Sequence, residues 1–196
     1  MKKPDFEKYL KSSIVIDWNH PEVFRKAKEL SLPNSDDVKI ARRCYEFVRD
    51  EICHSWDYKM NPVTLKASDV LKYRTGYCYA KSHLLAALLR ANGIPAGLCY
   101  QRLILDDVNK RFCLHGLNAV YLEKYGWYRM DSRGNTASIH AGFTPLIESL
   151  AFVPACEGEI DLPGIWDDPM PAIVEVLSMC TDYEDVMRNL PDIRVQ

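Results

Sequence analysis

Gly76-Tyr77-Cys78-Tyr79-Ala80-Lys81-Ser82-His83-Leu84-Leu85-Ala86-Ala87-Leu88-Leu89-Arg90-Ala91-Asn92-Gly93 is the stretch around which this chain organises itself. From Tyr77 to Ala91 it is good helix material, rich in leucine and alanine. Apolar residues point in nearly every direction, so the spacing predicts a helix buried in the middle of the fold. Asn92-Gly93 supplies a left-handed C-cap, and Pro95 prevents the helix from continuing.

Upstream the chain reads as helical. Pro21 opens a run with Val23, Phe24, Ala27 and Leu30 at helix spacing up to Pro33. Ser35-Asp36-Asp37 looks like an N-cap with an acidic first turn. The helix it opens carries Val38, Ala41, Tyr45, Val48 and Ile52 on one face and runs to about Glu51. His54-Ser55-Trp56-Asp57-Tyr58 reads as an irregular or short extended piece broken by Asn61-Pro62, and Ser68 as the cap of a short helix, Asp69 to Tyr73, leading into a Thr75-Gly76 turn. Downstream the period changes to two. Gly97–Leu105, Phe112–Leu122 and Trp127–Asp131 read as consecutive antiparallel strands, joined by turns at Asp106-Asp107-Val108-Asn109 and around Lys124-Tyr125-Gly126. The tail is loop-rich, with helices expected at Pro171–Met179 and Tyr183–Asn189. Helices first and an antiparallel sheet after them make the class α+β.

This arrangement puts a thiol where its chemistry works. An ordinary cysteine, with a pKa near 8.5, is mostly protonated at neutral pH. At a helix start, free N–H groups and the positive dipole end favour the thiolate. Cys78 sits there, and Gly76 leaves room for a substrate backbone and a tight entry turn. The alternative is a small, buried, inert cysteine.

His115 shares a strand face with residues 113, 117 and 119. Whether Asp131 joins that face depends on the hairpin. A two-residue loop puts it opposite His115, and a three-residue loop brings both to one side. The late glycine in Glu123-Lys124-Tyr125-Gly126 suits three, with Leu122 opposite Gly126 and Asp131 diagonal to His115. Cysteine as nucleophile, histidine as base and aspartate as its orienter then form a triad. For the developing oxyanion, the Cys78 N–H is one donor, and Trp56 Nε1 or Tyr58 is a candidate second. Ordinary packing is the other reading of those aromatics.

These residues resemble the transglutaminase-like superfamily, the papain-related fold of thiol acyl-transfer enzymes. The resemblance runs through Ala67-Ser68-Asp69-Val70-Leu71 and Arg74-Thr75-Gly76-Tyr77-Cys78-Tyr79-Ala80. It continues in Leu88-Leu89-Arg90-Ala91-Asn92-Gly93-Ile94-Pro95-Ala96, His115 to Tyr121 and Gly126-Trp127-Tyr128-Arg129-Met130-Asp131. It implies Cys78 as nucleophile, His115 as general base and acid, and Asp131 as orienting carboxylate. From the residues themselves, Trp56, Tyr58, Gly76 and Tyr77 are the candidates for the oxyanion or substrate pocket. Leu117 stands where the family commonly has an aromatic, and Ser132 where it often has proline. The implied architecture has N-terminal helices and a central nucleophile-bearing helix packed on an antiparallel sheet. It is expected as one domain, with a core at about 35–135 and a loop-rich, helical extension at about 136–196. The implied reaction is attack on an amide or peptide carbonyl of a protein or peptide substrate, giving a thioester. Hydrolysis is favoured over cross-linking, and a silent binding module on the same scaffold is the rival.

Composition narrows the classes. At 47% hydrophobic, 27% charged and net charge −2 with signs interspersed, the chain carries no footprint for nucleic acid. No apolar run reaches the roughly 20 residues of a membrane helix, and no apolar segment follows Met1-Lys2-Lys3 as in a secretory signal. Seven cysteines without a Cys-x-x-Cys pair fit a reduced, cytoplasmic setting. No cofactor is called for. Cys113 and His115 form a Cys-x-His metal half-site, but no recognised spacing supplies the remaining ligands. His83 lies about 140° around the helix from Cys78 and cannot serve as base. His20, His54 and His140 read as surface or turn residues.

Overall fold

The computed structural model describes residues 6–31, 36–106 and 108–193. The expectations for Lys2-Lys3, Pro33, Ser35 and Asp107 lie outside these residues. Helices α1 (Pro21–Ser31) and α2 (Asp37–Glu51) come first, then a two-residue strand β1 (Cys53–His54), a one-turn helix α3 (Ser55–Tyr58) and α4 (Ala67–Tyr73). Strand β2 (Thr75–Gly76) leads into the long helix α5 (Cys78–Ala91). The strands β3 (Ala96–Asp106), β4 (Arg111–Leu122) and β5 (Gly126–Met130) follow, then β6 (Ile160–Asp161), α6 (Pro171–Met179) and α7 (Tyr183–Arg188). Among the described residues no helix is long and apolar enough to cross a membrane.

All 14 residues of α5 are buried. Leu84, Leu85, Leu88 and Leu89 contribute about 1.5–3 kcal/mol each by leaving water. The polar residues of α5 are buried too, and bonds to backbone carbonyls hold them, with only His83 Nε2 left unpartnered among the described residues. Lys81 Nζ donates to Ile52 O, His83 Nδ1 pairs with Leu65 O at 2.9 Å, and Arg90 donates to Ala96, Lys11 and Asp167 carbonyls at 2.7–2.9 Å. These bonds fasten the surrounding loops to the central helix. Helices α1, α2 and α4 cover one side of α5 and the sheet covers the other.

The sheet order is β5-β4-β3-β6. Leu122 pairs with Gly126, so the three-residue hairpin loop forms, with Gly126 at φ +76°. Leu114, Val120, Leu122 and Met130 join the core under α5. On the other face Cys99, Leu117 and Ala119 pack against Trp127, Leu150 and Ile165, so the tail covers the second face of the sheet. Gly97 shows how closely: a Cβ there would lie 2.3 Å from Ile165 Cγ2 and 2.9 Å from Trp166 O. Leu98 and Trp166 exchange two backbone hydrogen bonds of 2.8 Å beside it. Gly97→Ala is therefore expected to cost about 1–3 kcal/mol by overpacking. Thermal unfolding followed by circular dichroism should show the midpoint falling by several degrees, and an unchanged midpoint would contradict this seating of the tail.

Several local expectations are corrected. The side chain of Asp36 caps α2 by accepting from Lys39 N. Phe24 is half exposed with Lys28 over its ring, off the core face of α1. Ser68 does not cap α4, because its N–H and hydroxyl both donate to Asp17. Thr75-Gly76 is not a turn but pairs in parallel with Cys53-His54. The next residues after β1 form α3, which Lys59 ends at φ +52°. Asp131 lies just past β5, where its carboxylate takes the Arg133 N–H at 3.0 Å and bends the chain away. Strand β6 was not expected, since two residues carry no period.

Candidate active site

Cys78 is the first residue of α5, with Tyr77 as N-cap, and is 7% exposed. Its sulfur reaches the sheet through a gap. Strand β5 pairs with β4 only from Leu122 back to Asn118, so the β5-side edge of β4 is unpaired below that point. N–H groups on that edge come from alternate residues. Leu114 N donates to Pro191 O at 2.7 Å, and Gly116 N points at Cys78 Sγ, 3.5 Å away. The sulfur thus occupies a vacant strand position. There the thiol on one layer meets His115, whose side chain belongs to the sheet face turned away from α5. Gly116 makes the approach possible, because a Cβ there would lie 2.9 Å from the Tyr79 ring and 3.2 Å from its backbone. A glycine inside a strand beside the histidine was the available signal for this contact.

His115 Nε2 donates to Asp131 Oδ2 at 2.7 Å, and the ring lines one cavity with Cys78. With Nε2 committed, Nδ1 is the nitrogen left for sulfur. Asp131 is fully buried and takes two more donors, Arg133 N on Oδ1 (3.0 Å) and Ala151 N on Oδ2 (3.1 Å). The Phe152 ring stands edge-on to His115, centroids 5.0 Å apart. The tail therefore supplies part of the site, which the sequence reading missed. A backbone N–H from a loop leaves no trace in residue identity.

The electrostatics favour an ion pair. Burial alone would raise the Cys78 thiol, but the charge and hydrogen bond of His115, then those of His54, bring it below its ordinary value. Burial likewise works against a charged His115, but the charges of Asp131 and Cys78 push it well up. Burial opposes ionised Asp131 and His115 outweighs it, so the carboxyl is lowered. Cys113 lines the same cavity, and burial pushes its thiol up to about 12. Among the described residues no group of three or more His, Cys, Asp or Glu is placed to hold a metal ion.

The cavity measures about 430 Å³. Tyr77 and Trp56 line it, with Phe152, Leu103 and Met187 among its apolar walls. Trp56 is 40% exposed at the rim, its ring 6.0 Å from that of Tyr183. Tyr58 is 63% exposed and does not line this cavity, so it is no candidate donor here. Gly76 lies beneath the site. The space its missing Cβ leaves is taken by Ala80 Cβ (3.0 Å) and Thr64 Oγ1 (3.1 Å) rather than by a substrate. Tyr77 donates from its hydroxyl to Tyr183 O at 2.6 Å.

His54 is a further correction. It is buried, lines the cavity beside Cys78, and helps to hold that thiol below its ordinary value. His83 is bound to Leu65 O within the core, and His20 and His140 are exposed. Asn118 faces α5, donating to Ser82 O and Gly97 O, away from His115.

Residues 25–132 match the transglutaminase-like superfamily. Among solved structures, a candidate cysteine protease from Cytophaga hutchinsonii is similar at TM-score 0.52 and 20% identity, over 67% of this chain and 43% of that one. The periplasmic domain of TgpA from Pseudomonas aeruginosa, bound to ethylmercury, is similar at TM-score 0.50 and 18% identity, over 65% and 48%. Red sea bream transglutaminase is matched at TM-score 0.46 and 16% identity, over 70% and 29%. The chain thus spans less than half the length of these structures. Among curated proteins, none matches it significantly in sequence.

Proposed function

The chain belongs to the transglutaminase-like superfamily, and we propose that within it this protein is a thiol-dependent acyl-transfer enzyme acting on an amide or peptide carbonyl. One observation carries the reading: a thiol at a helix start lines one cavity with an imidazole that meets a buried carboxylate at 2.7 Å. The Cys78 thiolate attacks the carbonyl carbon, and the C=O electron pair moves onto oxygen. As the tetrahedral adduct collapses, His115 gives its proton to the departing amine or ammonia and a thioester remains. His115 then takes a proton from water as that water attacks the thioester, releasing the acid and returning the thiolate. Asp131 holds the ring in place and balances its charge throughout.

Hydrolysis is favoured over cross-linking. Water is the acceptor unless a site excludes it, and this cavity opens between partly exposed Trp56, Leu105 and Val153. The apolar walls suit a protein or peptide chain as the acyl donor. The test uses a library of glutamine-containing peptides with and without a fluorescent primary amine. Peptide cleavage or ammonia release that proceeds without the amine supports hydrolysis. Incorporation of the amine outrunning hydrolysis would make the protein a cross-linking transglutaminase. Absence of any acyl-enzyme with a correctly folded site would make it a binding module.

A further inference from the structure

We infer that His54 is a second catalytic imidazole, the side-chain donor that holds the oxyanion formed when Cys78 attacks a carbonyl. This rests on the acyl-transfer reading above. The parallel bridge places it: His54 pairs with Gly76, two residues before the nucleophile, so the backbone fixes the imidazole beside the start of α5. The ring is 6% exposed, contacts the Tyr77 ring edge-on at 5.3 Å and lines the reaction cavity together with Cys78.

Its other side is built as well. His54 Nδ1 faces Asp57 Oδ2 at 3.6 Å, buried and without a hydrogen bond of its own. Asp57 is clamped by the Arg133 guanidinium through two bonds of 2.8 and 3.0 Å. The backbone N–H of that same Arg133 donates to Asp131. Hydrogen bonds therefore run from His115 through Asp131 and Arg133 to Asp57, which faces His54 on the other side of the nucleophile.

The chemistry follows from where charge goes. In the resting site the negative charge sits on sulfur. After attack the S–C bond has formed, the carbonyl π bond has broken, and the charge sits on an oxygen two bonds from that sulfur. A donor on the cavity wall beside the sulfur needs only a small shift to follow it. The Cys78 N–H, in the first turn of α5 where no intrahelical carbonyl is available to it, supplies the partner donor. Trp56 is less suited, being at the rim and 40% exposed. No proton is transferred by His54 in this scheme, which leaves His115 as the base and acid.

The test separates holding the oxyanion from merely forming the thiolate. Wild-type, His54→Ala and His54→Gln proteins are compared in acylation by p-nitrophenyl acetate and in inhibition by N-acetyl-leucinal, whose hemithioacetal carries the same oxyanion. Iodoacetamide alkylation of Cys78 is measured at about pH 9, where even an ordinary thiol is largely ionised. His54→Ala should lose acylation rate and aldehyde affinity by about 100-fold or more, while alkylation stays within about threefold. His54→Gln, which keeps an N–H donor, should recover part of the loss. Should the alanine variant not fold, His54→Met fills the space without a donor and takes its place. Wild-type acylation in the donor-less variant, or a parallel fall in acylation and alkylation, overturns the role. A wild-type protein that forms no acyl-enzyme with the ester or the aldehyde overturns both this role and the acyl-transfer reading.

Discussion

Cys78→Ala is expected to abolish acyl transfer, lowering turnover by about 10⁵–10⁶-fold, with the fold intact. Removing the nucleophile leaves nothing on this cavity wall to replace it. The other cysteine lining it, Cys113, has its thiol pushed up to about 12 by burial and sits in the middle of a strand, away from any helix start. The substitution suits the packing, because alanine is smaller than cysteine and the first turn of α5 keeps its backbone bonds. It also removes one source of the raised proton affinity of His115, which Cys78 supports by charge and hydrogen bond. Turnover of an activated ester together with a thermal unfolding midpoint checks both halves. Activity above a thousandth of wild type, in a protein free of contaminating enzyme, would move the nucleophile elsewhere.

Asp131→Asn should be nearly as damaging to turnover, by about 10⁴-fold, and more damaging to stability. Three donors converge on this carboxylate: His115 Nε2, Arg133 N and Ala151 N. An asparagine has one acceptor oxygen, so its NH₂ group must face at least one incoming N–H. If it takes the Oδ2 position, the ring is driven to the wrong tautomer and the tail segment bearing Phe152 loses its Ala151 anchor over the histidine; if it takes the Oδ1 position, it faces the Arg133 N–H. The lost charge also leaves a buried imidazolium with only the thiolate to balance it, and removing one partner of a buried pair costs about 3–5 kcal/mol. Activity within tenfold of wild type, with an unchanged unfolding midpoint, would show that the carboxylate neither orients the histidine nor holds the tail.

Much of this site was legible because its parts sit on elements with strong local signals. The long helix announces itself by composition and by Asn92-Gly93 and Pro95. Cys78 follows from where that helix starts. The hairpin parity depended on one glycine, and Gly126 at φ +76° with Leu122 opposite it decides the geometry that sequence left open. What stayed hidden lacks a period. His54 reads as an ordinary histidine after a helix, because its position comes from a two-residue parallel bridge between loops 22 residues apart, which no repeat can reveal. Ala151 acts through its backbone, so any residue with an N–H would serve. Trp56 and Tyr58 carried the right chemistry in the right segment, but the one-turn helix α3 turns them towards solvent. Gly116 was readable and overlooked: it stands next to His115, where its missing side chain lets the helix start press against the strand.

The account stands on Cys78 being a thiolate stabilised by its neighbours. The rate of iodoacetamide alkylation as a function of pH, with each modified cysteine identified by mass spectrometry, tests it most directly. Cys78 is predicted to label selectively and near its maximal rate at neutral pH, losing reactivity only well below the ordinary thiol value of about 8.5. A Cys78 that labels no faster than the exposed Cys156, with its inflection near that ordinary value, would contradict the ion pair and with it the proposed chemistry.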